Sequence, residues 1–246
     1  MQSNAVLKEE LPHKMVARTS AFDHPNPAVL KTRAVALAKC FSGFRGITTD
    51  FVDENIRAWE SLGLPSDASD LWPVLRRDAL GSDYEVQLRS LMVVMRESGV
   101  MKYIWPHDTL YVIRPEPKTV LRLHELAVMQ KGSIIFVPVD IHNRHKGRSV
   151  LDARSNMLEH EFGLGSFEMG CALLWQRDSL SGQAVHYACI GDTYRVGSGS
   201  DTKSAPTLCT EGFDPGSKGK ICYSRVHVDE PDHRKLYQIV TGFTPE

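Results

Sequence analysis

His227 and Asp229 stand two residues apart near the end of the chain, with Glu230, Asp232 and His233 close behind. If the apolar run before them is a strand that reaches 229, the imidazole and the carboxylate project from one face. A strand can offer two metal ligands in that way. His-x-Asp with a further histidine is the ligand set of oxygen-activating iron sites. His233 is the nearest third donor, four residues past Asp229 across Pro231, and no histidine follows it. His227, Asp229 and His233 are thus the candidate metal ligands, and a metal-dependent or acid–base enzyme is the activity they would serve. The competing expectation is a hairpin loop. Asp229-Glu230-Pro231-Asp232 has turn chemistry and separates two apolar runs.

A second cluster is basic: His142-Asn143-Arg144-His145-Lys146-Gly147-Arg148. It follows an apolar run with the composition of a strand, so it is expected on an exposed loop. Arg144, His145, Lys146 and Arg148 could hold an anion, a nucleic-acid backbone or an acidic face of a protein partner. A run of charge is also what a solvated strand end looks like. Aromatic residues are not interleaved with the cations, which argues against a platform for stacked bases.

Other chemistry fails at a required residue. His160-Glu161 would begin a zinc-protease helix, but position 164 is leucine where the second histidine belongs. No Gly-x-Ser-x-Gly elbow occurs. His186 and Cys189 are three apart and would face opposite sides of a strand. Gly191-Asp192 and Gly197-Ser198-Gly199 lack the helix and lysine of a phosphate loop. The five cysteines, Cys40, Cys171, Cys189, Cys209 and Cys222, contain no CxxC pair and are odd in number. Buried free thiols are the expectation.

The composition is that of a globular chain: 246 residues, 42% apolar and 24% charged, with a net charge of −1. That balance supplies no global field for nucleic acid. No apolar run approaches membrane-spanning length, and the first residues do not resemble a secretion signal. A soluble, cytoplasmic protein (or one in a host cytosol) with no membrane partner is the expectation.

The elements that must position these residues read as follows. Residues 1–25 form a tail. Asn26-Pro27 caps a helix with Leu30, Ala34, Leu37 and Phe41 on one face. A second helix fits 50–62, with Val52, Ile56, Trp59 and Leu62 in helical spacing and Gly63 as the stop. A third fits 70–80. A fourth starts at Ser82 with Glu85 as a capping box and runs to Ser98. Residues 100–115 then read as two strands around a short turn, and 121–130 as a helix. From Gly132 onward the pattern is mostly strand, including 134–140, 171–178, 183–190, 220–228 and 235–243, with a long loop over 197–219.

Helices before strands imply an α+β fold. The expected organisation is a helical module over 26–117 that ends in a β-hairpin, followed by a β-rich sandwich or barrel-like module over 118–246. The order of helix, turn, helix and hairpin has the form of a winged helix. Its reading helix, however, would carry only Arg89 and Arg96 against Asp83, Glu85 and Glu97. The function expected first is non-enzymatic: binding, assembly or regulation, through a protein partner, self-association or an anionic partner at the 142–148 loop. The metal or acid–base enzyme is the alternative, and a nucleic-acid-binding regulator the third.

Overall fold

The computed structural model describes residues 25–105, 113–142, 144–176, 185–196, 199–201, 205–211, 220–226 and 237–245. The fold is α+β, with helices gathered early and largely antiparallel sheets.

Helix α1 spans Pro27–Cys40. The Asn26 side chain accepts from the Ala28 N–H at 2.9 Å, and Leu30, Ala34 and Leu37 form its buried stripe. Helix α2 spans Val52–Leu62 and buries Val52, Ile56 and Trp59, while Leu62 is exposed. Gly63, at φ +80°, takes the left-handed conformation that ends it.

Residues 70–80 are not the expected helix. They form strand β1, Asp70–Leu75, and a 3-10 turn, Arg77–Ala79. Pro73 explains the difference. It has no N–H for a helical ladder, and it holds Trp72 extended. A sheet edge tolerates it, and β1 is an edge strand.

Helix α3 spans Tyr84–Glu97. Its cap is Asp83 rather than Ser82, whose neighbour's carboxylate accepts from the Val86 N–H at 3.0 Å. Strands β2, Met101–Trp105, and β3, Ile113–Pro115, do not make the expected hairpin. They join different sheets, so the described residues form no wing. Helix α4, Pro117–Met129, begins earlier than expected, because Pro117 occupies its first turn. Strand β4, Ile134–Asp140, is buried throughout.

Helix α5, Val150–Ser155, and strand β5, Glu161–Gly163, lead to helix α6, Ser166–Gln176. The expected strand over 171–178 is therefore helical up to 176. Residues 166–174 are all buried, so they show no polar period, and an apolar run of that kind fits either element. Gly170 lets α6 approach α3: a Cβ there would lie 2.6 Å from Leu91 Cδ2.

The remaining strands are β6 (Val185–Ala188), β7 (Asp192–Val196), β8 (Gly199–Asp201), β9 (Ala205–Glu211), β10 (Lys220–Val226), β11 (Tyr237–Gln238) and β12 (Thr241–Phe243). Among the described residues the strands form three sheets, ordered β1-β4-β12-β5, β11-β6-β9-β10-β2 and β3-β7-β8. The expected last strand is thus split between two sheets. β10 and β11 are not neighbours in the second sheet, and residues 227–236, where a hairpin loop was expected, lie outside the described residues.

One main core runs from Leu30 to Val240 and joins α1, α2, α3, α4 and α6 to β1 and β4. β1, from the first part of the chain, pairs along its length with β4, from the second. Among the described residues no helix is long and apolar enough to cross a membrane.

Candidate functional site

The end of β1, the start of α3, the start of α6 and the start of β7 meet around a buried polar cluster. The 3-10 turn after β1 delivers Arg77. Its Nε and Nη2 donate to Glu168 Oε1 and Oε2 at 2.8 and 2.9 Å, a bidentate pair. Its guanidinium lies over the Tyr84 ring, 4.6 Å from the centroid. The Tyr84 hydroxyl donates to both oxygens of Asp192, at 2.7 and 2.8 Å. Asp192 Oδ2 accepts from the Ser166 N–H at 2.6 Å, and Glu168 Oε2 from the Gly165 N–H at 3.0 Å. Both carboxylates therefore serve the free N–H groups that begin α6, where the helix dipole also favours negative charge.

Two glycine-bearing segments make this meeting fit. A Cβ on Gly165 would stand 2.5 Å from Asp192 Oδ1. One on Gly191 would strike the Gly163 carbonyl. No side chain fits between the two backbones.

Burial shapes the charges. Asp192 is fully buried, and burial pushes its carboxyl up to about 6, against the pull of Arg77 and of the Ser166 hydrogen bonds. Burial, then Asp192, raises the Tyr84 hydroxyl well above its usual range. Burial opposes the Arg77 charge, but Glu168, Tyr84 and Asp192 outweigh it and hold the guanidinium protonated. Cys189, beside this cluster, and Cys171 are buried thiols pushed upward chiefly by burial, so neither is a ready nucleophile.

The cluster floors a cleft of about 320 Å³. Leu75 and Ile135 of the sheet form one wall, and Val120, Leu123 and Ala127 of α4 the other. Arg77, Tyr84 and Glu168 line it, while Arg76, Asp78 and His124 stand at its rim. Arg76 and Asp78 pair with each other across the turn. Arg77 keeps one nitrogen, Nη1, for which the described residues supply no acceptor. An apolar cleft with a few convergent polar groups is the usual form of a small-molecule site.

The basic loop is organised differently from the expectation. Arg144 turns back toward Asp67, with which it pairs, and Glu161, 3.8 Å from its Nη1. His145 is buried, and its Nε2 lies 2.8 Å from Glu161 Oε1. That oxygen also accepts from the Thr241 hydroxyl at 2.7 Å, and Oε2 from the Leu158 N–H at 3.0 Å. Asp140 accepts from the backbone N–H groups of His142 and Arg144. Of the four candidate residues, Lys146 and Arg148 are exposed and have no carboxylate partner among the described residues. The charge count along the sequence could not show this, since Asp67 and Glu161 come from distant segments.

His227, Asp229 and His233 lie outside the described residues. Among the described residues no three His, Cys, Asp or Glu side chains gather in a way that could hold a metal ion. Cys171 and Cys189, which fall in the expected strands 171–178 and 183–190, sit on α6 and just after β6.

Arg77, Tyr84, Glu168 and Asp192 were not singled out by sequence reasoning. Arg77 and Glu168 are 91 residues apart, and Tyr84 and Asp192 are 108 apart, so no linear motif joins them. The available signal was Gly163-x-Gly165 and Gly191-Asp192: glycines that mark a close backbone approach beside an acid. No protein-family model, no curated protein and no solved structure matches the chain.

Proposed function

We propose that the protein is a non-catalytic binding protein, and that the cleft over Arg77 receives the apolar body of a small amphipathic ligand. Arg77 Nη1 takes a hydrogen-bond acceptor on that ligand. The observation that carries this reading is a charged donor, Arg77 Nη1, that lines an apolar cleft and has no acceptor among the described residues. A buried ion pair is costly to desolvate and is by itself a weak source of stability. Its place at the floor of a cleft gives it a use.

Two features support binding rather than catalysis. Glu168 is already committed to Arg77 and Gly165. Asp192, whose proton could move near neutral pH, is held by Tyr84 and Ser166 and does not line the cleft. Because Glu168 balances Arg77, a neutral carbonyl suits the site better than an anion.

Calorimetric titration with octanamide and octanoate tests this. The amide is expected to bind more tightly, and Val120→Trp, an exposed position on the cleft wall, is expected to block both. Binding that ignores Val120→Trp would overturn the reading.

A second reading rests on the exposed Lys146 and Arg148, which could meet an anionic partner. It requires salt-sensitive binding of a polyanion such as heparin, lost when Lys146 and Arg148 are both changed to glutamine.

A further inference from the structure

A different pocket lies on the other side of β1, where the edge of the first sheet meets the β11-β6 edge of the second and the C-terminal end of α6. Its volume is about 370 Å³. Its walls are unlike those of the Arg77 cleft. Three aromatic rings, Trp72, Trp175 and Tyr187, come from β1, α6 and β6. Two amides, Gln176 and Gln238, come from α6 and β11. Arg33 of α1 and Asp70 of β1 complete it.

The charges cancel. Arg33 Nη1 donates to Asp70 Oδ1 and Oδ2 at 2.8 and 2.9 Å. Asp70 also accepts from the Leu71 N–H at 2.8 Å and from Trp72 Nε1 at 3.0 Å. That carboxylate is saturated, so it has no capacity left for a cation. The arginine is neutralised, so an anion gains little.

The aromatic wall is held in place before any ligand arrives. Trp72 and Trp175 meet edge to face, with centroids 6.0 Å apart and planes at 79°. The Arg33 guanidinium lies 4.7 Å from the Trp175 centroid. Fixed rings lower the ordering cost of binding.

Hydrogen-bonding capacity remains unspent around these rings. All three hydrogen bonds of Arg33 leave from Nη1, so its Nε and Nη2 find no acceptor among the described residues. The Tyr187 hydroxyl and the exposed Gln238 amide likewise have no partner there. These groups donate and accept in several directions.

The ligand that matches is neutral, compact and rich in groups that both donate and accept, with an apolar face for an aromatic ring. We propose that this pocket binds a neutral saccharide ring. Hydroxyls would engage Arg33, Tyr187 and Gln238, and a face of C–H groups would pack on the tryptophans. A nucleobase fits less well. It calls for a flat slot between parallel planes, and the two indoles stand nearly perpendicular.

The test is saturation-transfer NMR on the full chain with glucose, galactose, mannose and N-acetylglucosamine, and with adenosine as the competing probe. At least one sugar is expected to bind with a millimolar or tighter Kd. Gln238→Ala and Tyr187→Phe are each expected to weaken it about three- to tenfold, the loss of one hydrogen bond. Val120→Trp, which fills the other cleft, should leave it unchanged. Circular dichroism confirms that each variant is folded, and two separate substitutions guard against one failing. The proposal is overturned if no sugar binds at millimolar concentration, if adenosine binds in their place, or if neither pocket variant changes the affinity.

Discussion

Replacing Arg77 by methionine isolates the energetics of the buried cluster. The substitution keeps most of the side chain's volume and removes the charge. Glu168, wholly buried, then loses both charge-assisted hydrogen bonds and retains only the Gly165 N–H. Stranding a buried charge in this way costs about 3–5 kcal/mol. Arg77 keeps a little exposure toward the cleft, so water can reach the stranded carboxylate in part, and the lower end, about 3 kcal/mol, is expected. Changing both partners to methionine removes the stranded charge. What then remains lost is the Gly165 hydrogen bond, about 1 kcal/mol, and the stacking of Arg77 on Tyr84, another 0.5–1 kcal/mol or so. The double variant should therefore be more stable than Arg77→Met alone by about 1 kcal/mol or more. Urea unfolding followed by far-UV circular dichroism measures all three proteins, with unchanged slopes as the check on two-state behaviour. If Arg77→Met costs less than about 1 kcal/mol, or if the double variant is no more stable than Arg77→Met alone, Glu168 is not a stranded charge and the reasoning is wrong.

Other outcomes follow from the same geometry. Asp192 has its carboxyl raised from an ordinary 3.8 to about 6, so its contribution is present below pH 4 and is lost as pH rises through 6. The loss is on the order of 3 kcal/mol, and Asp192→Asn should abolish that part of the pH profile in thermal melts. Glu161 behaves in the opposite sense. Burial works to raise its carboxyl, but hydrogen bonds from His145, Thr241 and Leu158 outweigh it and hold the carboxyl low. Its contribution is present above the ordinary carboxylate range and lost on acidification, so Glu161→Gln should match the parent more closely in acid than at pH 7. Gly191→Ala places a methyl against the Gly163 carbonyl, where backbone must shift, and should cost about 2 kcal/mol or more in urea unfolding. Arg144→Gln should lower the melting temperature by breaking its contacts with Asp67 and Glu161, whereas Lys146→Gln and Arg148→Gln, on exposed side chains, should not.

The parts of the fold legible in the sequence are those with local causes. Helix α1 announces itself by a cap, a proline and a stripe spaced by four and three, all within one segment. The strand 134–140 is a short run bounded by Gly132 and the polar 142–148 loop. Where burial is complete on every side, the period vanishes. Helix α6 therefore reads as a strand. At β1 the helical spacing of apolar residues misleads, because a proline and pairing with β4 decide the outcome. The basic loop was legible as an exposed loop, and the pairing of Arg144 and the burial of His145 were not, because their partners Asp67 and Glu161 come from elsewhere in the chain. The Arg77 cluster shows the same limit more sharply. Each of its pairings is fixed by the packing of α3, α6 and β7, and none has a local signature.

The measurement closest to the central claim is a crystal structure of the chain with octanamide. The account predicts the alkyl chain between α4 and the β1–β4 wall, with the amide oxygen accepting from Arg77 Nη1 while the Arg77–Glu168 pair stays intact. Electron density for the ligand elsewhere, or an empty cleft at saturating octanamide, would contradict it.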